Sequence, residues 1–140
     1  MLIDEALRAH LLSKTRITNL VSSRIYENVA PQKAPTPHLT YNQVGGERVH
    51  SLSGASGLNR AIFNVHSWAT KPLDAKNLSD AVRLVLDGFR GTMGGGGGVL
   101  VNACLVEDDI DLFDDQAFFH HVVRKVVIWH RETQPNETFT

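Results

Sequence analysis

The sequence predicts an α+β fold: a single domain with a mostly antiparallel sheet and two helices packed on one face, in the order α-β-β-β-α-β-β. Three observations carry this. Two segments repeat apolar residues at helical spacing, Ile3-Ala6-Leu7-Leu11 and Leu78-Val82-Val85-Leu86-Phe89. Five other runs are rich in β-branched and aromatic residues and read as strands. The chain has 140 residues, 42% hydrophobic and 21% charged, which suits one domain around one core.

The first helix carries Asp4 and Glu5 near its start, where carboxylates suit the helix dipole. Leu20 to Tyr26 is a brief strand candidate. Pro31 to Pro37 holds three prolines in seven residues, which excludes a helix or a central strand. His38 to Val44 alternates, with Leu39, Tyr41 and Gln43 on one face. Gly45 to Gly57 is then a thirteen-residue polar, glycine-rich stretch, too polar for core. Neighbouring strands are usually joined by about two to five residues, so its length marks it as a functional loop.

Leu58 to Ala69 is a longer strand with apolar residues on both faces. Asp74 to Phe89 is the clearest helix, with Gly88 and Gly91 as stop signals. The run Gly94 to Gly98 is a helix-to-strand connector. A phosphate loop needs Gly-x-x-x-x-Gly-Lys-Ser/Thr between a strand and a helix, and no lysine stands beside these glycines. Val99 to Val106 and Phe118 to Arg131 are the last strands, separated by an acidic turn, Glu107 to Asp115, with six acids in nine positions. The domain is placed at 1–132, and the polar tail 133–140 is expected to fray.

Net charge is -1, so there is no global basic field to hold nucleic acid. The single Cys104 lies in an apolar run and reads as a buried, inert thiol. Acids near the N-terminus do not suit a signal peptide, and no apolar stretch reaches roughly eighteen residues. The expectation is a chain assembled in a cytoplasm, with no membrane partner.

Catalytic patterns are missing from the sequence. Gly54-Ala55-Ser56-Gly57 departs from the Gly-x-Ser-x-Gly elbow. The acidic stretch lacks the glycine and final glutamate of a calcium loop. Of seven histidines, the adjacent His120 and His121 point to opposite faces of a strand, and no histidine spacing suits a metal on a helix. Trp68 and Trp129 have few basic neighbours and read as core or subunit-interface residues. The expectation is therefore no enzyme, no cofactor and no metal.

Several segments, taken in order, resemble one known family. They are Leu2 to Leu12, Arg24-Ile-Tyr26, Ala30-Pro31, Pro37-His-Leu-Thr-Tyr41, Gly46 to Gly54, Leu84-Val-Leu-Asp-Gly-Phe-Arg-Gly91, and Trp129-His-Arg-Glu132. The chain resembles the tail completion proteins of long-tailed bacteriophages, also called tail terminator or tail-to-head joining proteins. The resemblance implies a homohexameric ring that caps the tail tube, ends elongation and presents a face to the head connector. It also implies an open channel through which DNA passes without specific binding, and a place at the tail-neck junction of the virion. A ring needs head-to-tail contacts, and sheet-edge pairing between subunits is one way to supply them.

On that reading the partner contacts fall on Gly46, Glu47, Arg48, His50, Ser51 and Ser53. Glu107, Asp108, Asp109 and Asp111 would form an acidic surface lining the channel or a ring face. Two alternatives stay open. One is a neighbouring neck ring such as the head-closure adaptor. The other is a small nucleic-acid-binding module using Arg24, Arg60, Arg124 and Lys125.

Overall fold

Helix α1 (Ile3–Leu12) buries the stripe that its spacing marks out: Ile3, Ala6, Leu7, His10 and Leu11 all face inward. A second helix, α2 (Thr15–Val21), follows it, and here the sequence reading needs correction. Leu20 and Val21 close a helix rather than open a strand, and only β1 (Ile25–Glu27) is extended. Four of the seven α2 residues are β-branched, which disguises the helix. Ile17 and Val21, four apart and fully buried, hold it in place.

The remaining elements are β2 (His38–Ser51), β3 (Gly54–Ala69), α3 (Pro72–Leu86), β4 (Gly91–Met93), β5 (Val99–Asp114) and β6 (Phe119–Arg131). This computed structural model describes residues 1–52, 54–114 and 119–133. The expected polar tail lies outside the described residues from position 134 onward. The strands form one six-stranded sheet in the order β1-β2-β3-β6-β5-β4. β1 runs parallel to β2, and every other pairing is antiparallel. The α+β class and the mostly antiparallel sheet are as the sequence predicts, with α2 and β4 as additional elements.

Two stretches read as connections are strands. Gly45 to Gly57 is the distal part of the β2–β3 hairpin, paired from Gly45↔Ile62 to Ser51↔Gly54. The acidic stretch through Asp114 is the second half of β5, paired with β6 from Glu107↔Lys125 to Asp114↔Phe119. Both hide from a pattern search because they have no buried face to impose alternation.

The three helices lie on one face of the sheet. From β3, Ala61, Phe63 and Val65 point into them, as do Val126 and Ile128 from β6 and Cys104 from β5. Leu78, Val82 and Leu86 of α3 close this core. Each fully buried Leu or Phe here contributes roughly 2–3 kcal/mol of transfer free energy.

α3 stops at Leu86, three residues before the sequence expectation, because Asp87 is extended and Gly88 sits at φ +80°. Phe89 still packs on the core, its ring 4.4 Å from that of His10. His10 Nε2 donates to the Val85 carbonyl at 3.1 Å, which ties α1 to the end of α3. The glycine run turns the chain from β4 into β5 rather than joining helix to strand, with Gly94, Gly95 and Gly97 all at positive φ.

Candidate functional site

The β2–β3 and β5–β6 hairpins close at opposite ends of the sheet. β3 pairs with β6 from Leu58↔Arg131 to Ala69↔His120. The β2–β3 hairpin runs past the first of these pairs, and the β5–β6 hairpin reaches past the second. A row of paired residues, Asn42–Asn64–Lys125–Glu107, crosses the four central strands and separates the two hairpin ends. Gly46, Glu47, Arg48, His50 and Ser51 lie on one side of this row, and the acidic residues lie at or beyond it on the other. The structure therefore does not bring the two sets together.

On the β2–β3 hairpin, Gly46 lies opposite Ala61, Glu47 opposite Arg60 and Arg48 opposite Asn59. A Cβ at Gly46 would lie 3.1 Å from the Arg60 carbonyl oxygen, a tight contact, so glycine eases the approach of the two strands here. Bulges between Gln43 and Gly45 and between Arg48 and His50 twist the hairpin. Ser56 Oγ donates to the Val49 carbonyl at 2.6 Å and accepts from the Leu58 N–H, bracing the second bulge. His50 is exposed and pairs with Ala55, and Ser51 ends the strand opposite Gly54. Leu52, at the turn, is fully exposed. Ser53 lies outside the described residues.

Arg48 anchors the hairpin to the end of β6. Its Nε donates to Glu132 Oε1 at 2.7 Å and its second guanidinium nitrogen to Oε2 at 3.1 Å. This two-pronged bond holds the Glu132 carboxyl below, and the Arg48 guanidinium above, their ordinary pKa values. Beside it, the buried His130 Nε2 accepts from Asn59 Nδ2 at 3.2 Å. Burial is the main cause that pushes the His130 pKa down, so the ring is held neutral as an acceptor.

The acidic residues do not share one face. Glu107 lies beside Lys125, its Oε2 3.5 Å from Nζ, on the side of the sheet away from the helices. Asp111 points to the helix side, where its Oδ2 is 3.6 Å from Lys76 Nζ on α3. Asp108 sits at the register shift between Glu107 and Asp109, and Asp109 pairs with Arg124 across the ladder. Arg124 Nε in turn donates to Ser79 Oγ on α3. Part of the negative charge is therefore offset within the chain.

The helix-free face of the sheet carries the second apolar side that the pattern of Leu58 to Ala69 indicates. Ile62, Val123 and Val127 lie there with Leu105, Ile110 and Leu112 of β5, the last three about half exposed. Toward the β5–β6 end, Trp68 stacks on His121 with ring centroids 3.9 Å apart, and His66, His38 and Phe119 surround the indole. Trp68 Nε1 donates to Thr40 Oγ1 at 2.9 Å. The alternation His66-Ser67-Trp68 and the pair His120-His121 were the available signals, but only the register makes them one cluster. His130 is buried rather than an exposed strand histidine. Trp129 takes the Arg60 guanidinium over its ring at 5.9 Å.

Among the described residues, no three His, Cys, Asp or Glu side chains gather as a metal site would require. No helix formed by them is long and apolar enough to cross a membrane.

Comparison with known proteins relates both the sequence and the fold to virion proteins. Residues 5–130 match the family model described as Tail completion protein gp17. The fold is similar to a chain in the virion of the native gene transfer agent (GTA) particle, with a TM-score of 0.70 and 14% identity. That match covers 89% of this chain and 91% of the other. No curated protein sequence matches the chain.

Proposed function

The chain belongs to the tail completion protein gp17 family, structural proteins of the phage tail and neck, and from that premise we propose that it forms the ring closing the tail tube. In this reading a homohexamer seats on the last tube ring, stops further tube addition, and presents its other side to the head-closure or connector protein. DNA passes through the open centre without specific binding. The ring sits at the tail-neck junction of the virion, on tails assembled in the host cytoplasm.

The observation that supports this is the pair of hairpins that close at opposite ends of one sheet. A joining protein needs two separate contact surfaces facing apart, and a domain of this size supplies them most simply at the two ends of its strands. The β2–β3 hairpin, with Glu47, Arg48, His50 and the exposed Leu52, offers a polar strand pair ending in an apolar tip. The acidic half of β5 marks the other end. Its charge disfavours adhesion to the DNA backbone and keeps the passing duplex mobile.

Molecular mass in solution, alone and with purified tail-tube protein, tests the reading. A hexamer in either condition supports it. A monomer that ignores the tube protein overturns it in favour of the head-closure adaptor, and salt-sensitive DNA retention by that monomer favours the nucleic-acid module. Replacing residues 49–56 with a two-residue turn tests the hairpin, with tails of irregular length and unjoined heads expected. Normal joined tails from that variant remove the hairpin from the contact. Changing Asp108, Asp109 and Asp111 together to Asn is expected to alter assembly or DNA passage, and an unchanged particle rejects a role for them.

A further inference from the structure

The strands next to the short edge strands, β2 and β5, are each covered on one side of the Asn42–Asn64–Lys125–Glu107 row and open on the other. On β2, the side below the row is covered by β1 at Leu39 to Tyr41. β1 is itself closed outward: Arg8 Nε donates to the Ile25 carbonyl at 3.0 Å, and the Val29 N–H to the Glu27 carbonyl at 2.7 Å. On β5, the side above the row is covered by β4 at Val99 to Val101. Beyond β4, the Gly88 N–H takes the Cys104 carbonyl and Asp87 Oδ1 takes the Val106 N–H. Among the described residues, no strand lies against the outer side of β2 from Gln43 to Ser51, or against that of β5 from Glu107 to Asp114.

We propose that these two open edges are each other's partners: β2 from Gln43 to Ser51 of one copy pairs, antiparallel, with β5 from Glu107 to Asp114 of the next. This rests on the ring reading above and names the contact that closes the ring. Three features of the edges fit. β2 and β5 already run in opposite directions in the sheet, so a neighbour brought alongside by rotation presents the direction that an antiparallel ladder needs. The contact joins two different edges, as a head-to-tail ring requires.

The sequences also complement each other in that direction. A register placing Val44, 51% exposed, opposite Phe113, 52% exposed, also places His50 opposite Glu107 and Arg48 beside the acidic run. An apolar end meets an apolar end, and basic groups meet the acids.

The geometry has a consequence for the ring. The centres of the two open stretches lie about eight residues apart along the strands, roughly 26 Å at about 3.3 Å per residue. Successive copies are separated across the strands by four spacings, about 19 Å. Pairing therefore inclines the strands to the ring axis by roughly 50°, somewhat more steeply than the usual 35–45° or so of closed barrels.

Disulfide trapping tests the contact. Paired Cα atoms in an antiparallel ladder lie about 4.5–5.5 Å apart, within reach of a disulfide. The background is clean, since Cys104 is buried and its thiol pKa is pushed up to about 12. The double variant Val44→Cys with Phe113→Cys, oxidised in the assembled ring, is expected to give a ladder of covalent multimers on a non-reducing gel. A comparison pair, Glu27→Cys with Asp109→Cys, reports a level side-by-side contact of β1 against β5 and is expected to stay monomeric. A ladder from the comparison pair instead, or rings of unchanged native mass with no ladder from Val44→Cys/Phe113→Cys, overturns the pairing while the ring stands. A wild-type protein that forms no ring alone or with tube protein overturns both.

Discussion

Arg48 on β2 and Glu132 just past β6 are 84 positions apart in sequence and joined by two hydrogen bonds, at 2.7 and 3.1 Å. The pair pins the base of the β2–β3 hairpin to the strand end beside it. Both side chains are substantially solvated, so the link orients the hairpin more than it stabilises the fold. The folded-state pKa of Glu132 lies below its ordinary value, chiefly through the hydrogen bond from Arg48. The contribution is therefore present above the usual glutamate range and is lost as pH falls through the depressed value. Amide protection factors in the hairpin are expected to fall on acidification below about pH 4.3 and in Glu132→Gln at neutral pH, with little change in global melting. Unchanged hairpin exchange in Glu132→Gln removes the anchoring role.

Four histidines, His10, His38, His66 and His130, have pKa values pushed below the ordinary range, with burial the first cause in each. The unfolded chain takes up these protons near pH 6.5, whereas the folded chain resists them. Stability is then full above about pH 6.5 and declines as pH falls below it. The urea midpoint of the free protein is expected to drop between pH 7.5 and 5.5, and His66→Phe to flatten part of that slope. A midpoint that is level or higher at pH 5.5 contradicts this.

Trp68 holds the aromatic cluster together through its stack on His121 and its bond to Thr40. Truncation to Ala removes a half-buried indole and strands the Thr40 hydroxyl. The expected cost is about 2 kcal/mol, below that of a fully buried tryptophan. Urea denaturation measures it, and a loss under about 0.5 kcal/mol, the range of ordinary surface changes, would show that the cluster is loosely held.

The glycine run holds one position with no room for a side chain and another with ample room. A Cβ on Gly98 would collide with the Met93 carbonyl oxygen and come within 2.8 Å of that of Gly95, both backbone atoms. A Cβ on Gly96 meets nothing within 4 Å, and its φ is not positive. Gly98→Ala is expected to lower the melting temperature by several degrees, while Gly96→Ala leaves it unchanged or slightly raised. Equal melting temperatures for the two variants would show that the β4–β5 turn relaxes freely.

Where a segment buries a face, the sequence was readable. Ile3, Ala6, Leu7 and Leu11 mark α1, and Leu78, Val82 and Leu86 mark α3, because packing on the sheet demands that spacing. α2 was missed since its β-branched residues favour a strand locally and only the burial of Ile17 and Val21 decides otherwise. Gly45 to Gly57 and Glu107 to Asp114 read as connections because strand stretches with mostly wet faces have no alternation to betray them. Their chemistry was visible in the sequence, but not their positions at opposite ends of one sheet. That placement depends on long-range register, for which Asn42, Asn64, Lys125 and Glu107 give no local sign.

The density of acids along β5 also bears on which assemblies this chain can form. An open strand edge usually invites its own copy, giving a two-fold dimer. In an antiparallel β5–β5 ladder, carboxylates such as Glu107 and Asp111 would be crowded against those of the other copy, and like charges facing across a ladder repel. Selection by repulsion therefore leaves β5 with a partner other than itself. If the chain ends a polymer, as proposed above, it is thereby kept from starting a dead-end one of its own.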